Sequence, residues 1–146
     1  MRIYLDMCSL QRPLDDQTPL RVHLEAEAVL GVLALCETGQ AELVGSVALR
    51  FEQSRNPHPL RKGFAQEVLA LAALTVDATP TVTQRAHDYV EQGIQPLDAL
   101  HLACAVEARA DYFCTCDDRL LRRAKQVATE TTRAVSPLEL IDEIEP

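Results

Sequence analysis

No segment of this chain stays apolar for long. Its longest hydrophobic runs, AVLGVLALC at residues 28–36 and VLALAALTV at residues 68–76, are nine residues each, about half of the ~20 that a helix needs to cross a bilayer. The start of the chain lacks a basic segment followed by an apolar stretch and a cleavage site. These absences point to a soluble, cytoplasmic protein with no membrane partner. Positive charge is also scarce: 14 Lys and Arg stand against 22 Asp and Glu, a net charge of −8. A protein that grips long nucleic acid mainly through phosphates is usually basic, so that use is disfavoured, whereas a basic protein partner suits the balance.

Cysteine is present without the patterns that give it a structural role. Five cysteines are an odd number outside any short secreted framework, which favours reduced thiols. His101 and Cys104 lie one helical turn apart and Cys114 and Cys116 form Cys-x-Cys. Zinc pairs usually sit at C-x₂₋₄-C, and alternate strand residues point to opposite faces, so buried small hydrophobes are the better reading than zinc ligands. There is no internal repeat, low-complexity tract or linker, so residues 1–146 read as one domain.

What remains is an ordinary globular composition, 47% hydrophobic and 25% charged, in a chain long enough to bury about two thirds of its unfolded surface. Residues 2–6 predict a strand, and a polar loop with Pro13, Asp15, Asp16 and Pro19 follows it. Val22, Ala26, Val29, Leu33 and Cys36 recur at helical spacing and predict a helix over 20–38 that Gly39 stops. A short strand at 42–46 leads into a helix through Arg55, Asn56 and Pro57 break it, and another helix covers 60–73. An extended stretch at 74–76 precedes Thr79 and Pro80, an N-cap and first helical residue for a helix to Gln92. Gly93 ends it and Pro96 opens the next, whose LDALHLACAVEA is apolar nearly all round and so deeply buried. A strand at 112–116, a helix at 118–126 and a capping-box helix after Ser136 complete the chain. Strands that are apolar runs separated by helices imply a three-layer α/β/α domain with a central, mostly parallel sheet.

In such sheets ligands bind beyond the carboxyl ends of the strands. Asp6 follows IYL there, Asp117 follows YFCTC, and Asp98 opens a crossover helix that starts on the same edge. Glu52 is a fourth candidate. It lies about 9 Å along its helix from the strand end at 1.5 Å per residue, and reaches the others only if that helix lies across the edge. Carboxylates within 4 Å repel by about 4 kcal/mol per pair at an effective dielectric of 20, so a cluster binds protons or holds a cation. An all-oxygen set suits Mg²⁺ or Mn²⁺, which offsets charge developing on a phosphoryl group.

Each residue also has a plainer reading. An Asp after a strand is commonly a turn or cap residue, Asp98 can cap its helix after Pro96, and either Asp117 or Asp118 can be the cap while the other is the ligand. His101 reads first as a satisfied core histidine, and Ser9 and Thr115 as turn stabilisers or as donors to a carboxylate. Arg50, Arg55, Arg61 and Lys62, and likewise Arg119, Arg122, Arg123 and Lys125, read first as solvated helix faces and second as local phosphate-binding rims.

LDMCSL, Glu52 within SVALRFEQSR, PLDALHLACA and TCDDRLLRRA, with a final SPLELI, together resemble the PIN-domain family, and within it the VapC-like toxin ribonucleases, in order and spacing over almost the whole chain. The resemblance implies an Mg²⁺- or Mn²⁺-dependent endoribonuclease on a PIN-like fold. Asp6, Glu52, Asp98 and Asp117 match the family's acidic metal-binding residues, and Thr115 the hydroxyl residue often beside the last Asp. It further implies a homodimer restrained by a cognate antitoxin, with DNA contacted only through that partner. One departure stands out: Met7 and Cys8 follow Asp6 where Thr or Asn is usual, leaving Ser9 as the nearest hydroxyl. Loss of a supporting group weakens metal binding, which keeps open an alternative, a catalytically degenerate PIN-like module that binds RNA or protein. A phosphoacceptor receiver domain fits poorly, because only fragments of its acidic and lysine pattern are present.

Overall fold

The structure, a computed structural model, describes residues 1–145. Five short strands, β1 (Arg2–Leu5), β2 (Glu42–Ser46), β3 (Leu74–Val76), β4 (Tyr112–Cys114) and β5 (Arg133–Val135), form one sheet in the order β3-β2-β1-β4-β5. Every pairing is parallel, with Ile3 opposite Leu43 on one side and opposite Tyr112 on the other. Eight helices connect the strands among the described residues: α1 (Met7–Leu10), α2 (Leu20–Glu37), α3 (Val47–Arg55), α4 (Pro59–Leu69), α5 (Pro80–Glu91), α6 (Pro96–Glu107), α7 (Asp118–Gln126) and α8 (Pro137–Ile144).

Ile3, Tyr4 and Leu5 are all 0% exposed. Successive strand residues point to opposite faces, so both faces of the sheet are covered and the α/β/α layering follows. Tyr4 stacks on Phe113 at 5.6 Å between ring centroids and meets His101 of α6 edge-on. Burying a side chain of this size contributes about 1.5–3 kcal/mol. Helix α6 packs against α5, α3, β2 and β4, which explains why its sequence is apolar nearly all round.

The departures from the sequence reading are local. Residue 6 leaves the strand: its side chain accepts from Ser9 N–H at 3.0 Å and caps α1 where a polar turn is predicted. The helix expected to 73 ends at Leu69, because the chain peels away and Ala73 N–H bonds to Leu43 C=O at the start of β3. The strand expected over 112–116 ends at Cys114, and β5 is an edge strand of three residues without an apolar run to announce it. No described helix is long and apolar enough to cross a membrane.

Candidate active site

The chain steps outward from β1 through β2 to β3, then returns to place β4 and β5 on the opposite side of β1. The order therefore reverses between β1 and β4, and the crevice beyond the carboxyl ends of those two strands is where such a sheet binds ligands. Asp6 N–H donates to Cys114 C=O at 3.1 Å, joining the two strand ends. Asp6 is 4% exposed. Burial pushes its carboxyl above the usual range, against the opposing pull of Thr115, His101, Cys8 and the Ser9 N–H.

Asp98 occupies the first turn of α6, half-buried. It is not the cap: Gln95 holds that position, without a side-chain bond. Burial pushes the Asp98 carboxyl up, and Asp6, Asp117 and Glu52 all push it further, while His101 opposes them. One carboxyl thus feels the charge of the other three.

Asp117 is the N-cap of α7. Its Oδ1 accepts from the N–H groups of Arg119 and Leu120 at 2.9 and 3.1 Å, and Thr115 Oγ1 accepts from Asp117 N–H at 3.0 Å. Asp118 faces elsewhere and is paired with Arg21 through two bonds of 2.7 and 2.9 Å. That guanidinium holds Asp118 below the usual carboxylate range. Of the two, Asp117 is therefore the cap, and its Oδ2 takes no part in it.

Glu52 arrives by a route that sequence alone does not reveal. Ser46, the last residue of β2, caps α3 by accepting Leu49 N–H at 3.1 Å. Helix α3 packs on α6, so Glu52 meets Nε2 of His101, one turn after Asp98. On the other side of the ring Nδ1 is 2.6 Å from the Tyr4 hydroxyl, which is 2.6 Å from Ser46 Oγ. A ring carrying its proton on Nε2 donates to Glu52 and accepts from Tyr4. His101 is a satisfied core histidine that also positions a site carboxylate. Tyr4 and Ser46, hidden in apolar strands, were not foreseen.

The departure after Asp6 has a definite geometry. Cys8 Sγ lies 3.1 and 3.3 Å from the two Asp6 carboxylate oxygens and 3.6 Å from Thr115 Oγ1. Contact with Cys116, burial and the Asp6 charge all hold the thiol up, and as a thiol it donates to Asp6. Ser9 Oγ is taken up by Cys114 C=O at 3.2 Å. The donor set facing the rim is thus oxygen-based, which fits a hard divalent cation. Among the described residues no three His, Cys, Asp or Glu side chains are already gathered at a spacing that holds an ion.

Beside Glu52 an open groove of about 410 Å³ is bounded by Met7, Phe51, Arg55, Asn56 and Leu97. Phe51 is 47% exposed, with the Arg55 guanidinium 4.8 Å from its ring centre.

A family model described as PIN domain matches residues 3–126. Among solved structures the chain is similar to VapBC2 from Rickettsia felis bound to a DNA fragment from their promoter, with a TM-score of 0.55 and 14% identity over 93% of this chain and 98% of that one. At that identity the likeness speaks for the fold. No curated protein matches the sequence.

Proposed function

Because this chain belongs to the PIN-domain family, whose members are typically nucleases, we propose that it is a metal-dependent endoribonuclease, the toxin of a toxin and antitoxin pair, acting in the cytoplasm. Asp6, Asp98 and Asp117 hold Mg²⁺ or Mn²⁺, and Glu52 either adds a ligand or orients the attacking water. A divalent cation, when bound, offsets the charge that develops on the phosphoryl group. The protein's own part is to fix the carboxylates: the α1 and α7 caps lock Asp6 and Asp117, and His101 holds Glu52 toward the rim. Hydrolysis leaves a 5′-phosphate and a 3′-hydroxyl. Phe51 and Arg55 offer an unpaired base a stacking surface beside Glu52.

The observation that supports this reading is the placement of three acids from distant segments: Asp6 where the ends of β1 and β4 are joined, Asp98 in the first turn of α6 and Asp117 at the cap of α7. Purified protein should cleave single-stranded RNA with Mn²⁺ or Mg²⁺ and lose that activity with a chelator or with Asp98→Asn. Full activity in Asp98→Asn excludes the assignment of that residue. The Cys8 contact with Asp6 favours a second reading, a degenerate module that binds without cutting. RNA or partner binding with no cleavage under any divalent ion selects it.

The antitoxin partner is proposed to dock an amphipathic segment with basic flanks in a groove of about 370 Å³ between α2 and α4. Leu30, Leu33, Phe64 and Val68 supply the apolar floor there, and Glu37 and Glu67 supply negative charge. A homodimer is part of the same proposal, as is contact with DNA only through the antitoxin.

A further inference from the structure

Beside Asp98, a small pocket of about 30 Å³ is lined by Gly93, Gln95, Asp98, Arg119, Leu120 and Arg123, room for about one water or one phosphate oxygen. Arg119 and Arg123 are one turn apart on α7 and so share a face. Neither forms an ion pair among the described residues, although acids outnumber basic residues in the chain and Asp98 lines the same pocket. On the same helix Lys125 pairs with Glu139, and Arg21 pairs with Asp118, while Arg122, like Arg119 and Arg123, forms no ion pair among the described residues. Gly93 ends α5 with φ of 101°, a conformation that favours glycine, and a Cβ there would collide with Nη1 of Arg123. The absent side chain leaves room for the guanidinium against the backbone, and Arg123 is one of the residues lining the pocket.

We propose that Arg119 and Arg123, seated against Gly93, form a phosphate-binding subsite beside Asp98 that takes an RNA backbone phosphate neighbouring the one that is cleaved. The inference rests on the ribonuclease reading. A planar guanidinium matches two phosphate oxygens at once. Two such groups beside the acidic rim supply what that rim lacks toward a polyanion: positive charge within one strand's reach of carboxylates that would otherwise repel it.

The test is binding of a fluorescently labelled single-stranded RNA in Ca²⁺, by anisotropy across a salt series, for wild type, Arg119→Glu with Arg123→Glu, and Arg109→Glu. Arg109 follows α6 at the far end from Asp98, so its reversal controls for charge alone. The paired reversal should raise Kd at least about tenfold and flatten the salt slope by about 0.7, the share of one phosphate on a single strand. Arg109→Glu should leave both nearly unchanged. An Mn²⁺-induced rise in melting temperature retained by the paired variant establishes that the carboxylate rim is intact. Unchanged Kd and slope in the paired variant, or an equal loss in Arg109→Glu, overturns the subsite. If wild type cuts RNA while the paired variant binds it normally, only the subsite falls. If wild type neither binds nor cuts RNA, the ribonuclease reading falls and takes the subsite with it.

Discussion

The hydroxyl of Tyr4 lies 2.6 Å from Nδ1 of His101, in the middle of a chain that runs from Ser46 at a strand end to Glu52 at the acidic rim. Tyr4 and Ser46 are 0% exposed and His101 is 1% exposed, so each polar atom depends on its neighbour for a partner. Tyr4→Phe removes the hydroxyl while keeping the stack on Phe113. It leaves Nδ1 buried without a donor, which costs about 1–3 kcal/mol. Chemical denaturation should show a lower midpoint with an unchanged slope. Because Glu52 then loses a rigid partner, RNA cleavage should fall by more than it does in Phe113→Leu, a variant of similar stability loss that leaves the chain of hydrogen bonds in place.

Asp98 feels three like charges, so the rim opposes folding until a cation or a proton relieves it. Asp98→Asn removes that repulsion without changing the shape of the side chain. In chelator the variant should melt above wild type, because the charges of Asp6, Asp117 and Glu52 all oppose ionisation of Asp98 and the amide carries no charge for them to repel. Mn²⁺ should raise the melting temperature of wild type and have little effect on the variant. A variant that melts lower in chelator, with its cation response intact, would show that Asp98 does not belong to the cluster.

The places of the acidic candidates in the fold were legible in the sequence wherever topology alone decides them. Strand ends and helix starts of a parallel sheet share an edge, so Asp6, Asp98 and Asp117 follow from element order. Glu52 depends on how α3 lies against α6, and that is set by packing rather than by its own nine residues. The choice between Asp117 and Asp118 turns on Arg21, distant in sequence, whose two bonds to Asp118 leave Asp117 to cap α7 and face the rim. Tyr4 was invisible as a polar partner because a strand of isoleucine, tyrosine and leucine reads as core. β5 escaped notice because an edge strand of three residues, of which Arg133 is exposed and Val135 alone is buried, needs no apolar run.

Arg21 also belongs to a longer ionic run. Glu25 is 1% exposed and is met by Arg12 at 2.7 Å and by Arg21 at 3.5 Å, while Asp15 bridges Arg12 to Arg61 of α4. The run ties the loop after α1 to α2, α4 and the start of α7. Arg12→Ala leaves a buried carboxylate with one longer contact, and breaking a buried pair from one side typically costs about 3–5 kcal/mol. Adding Glu25→Leu should restore much of the loss, since the penalty comes from the stranded charge. Urea melts of the two variants measure both halves of this expectation.

Phe51 is 47% exposed beside Glu52, with Arg55 over its ring. Stacking of a base on an aromatic face is worth about 1–3 kcal/mol and tolerates any flat ring. Phe51→Ala should therefore raise KM for single-stranded RNA by roughly tenfold with little change in kcat, and Phe51→Trp should restore it. Recovery by Leu instead of Trp would mean that the position is only apolar surface.

At the far end of the chain Ser136 Oγ accepts Glu139 N–H at 3.1 Å and Glu139 Oε1 accepts Ser136 N–H at 3.0 Å, a reciprocal cap for α8. Burial opposes ionisation of Glu139, but Lys125 at 2.8 Å and the Ser136 N–H outweigh it, so the carboxyl sits below its usual range. A carboxyl depressed by folding stabilises the protein above its unfolded pKa of ~4.3 and loses that contribution as pH falls through the folded value. The pair is half exposed, so the ionic part is worth only about 0.2–1 kcal/mol. Glu139→Gln keeps the cap's hydrogen-bonding pattern and removes the charge. The stability gap between wild type and this variant should be constant above about pH 6 and close as the pH drops below about 4, by the same linkage. Ser136→Ala should cost about 1 kcal/mol across that range, since it removes the acceptor for the Glu139 N–H and leaves the charge where it was.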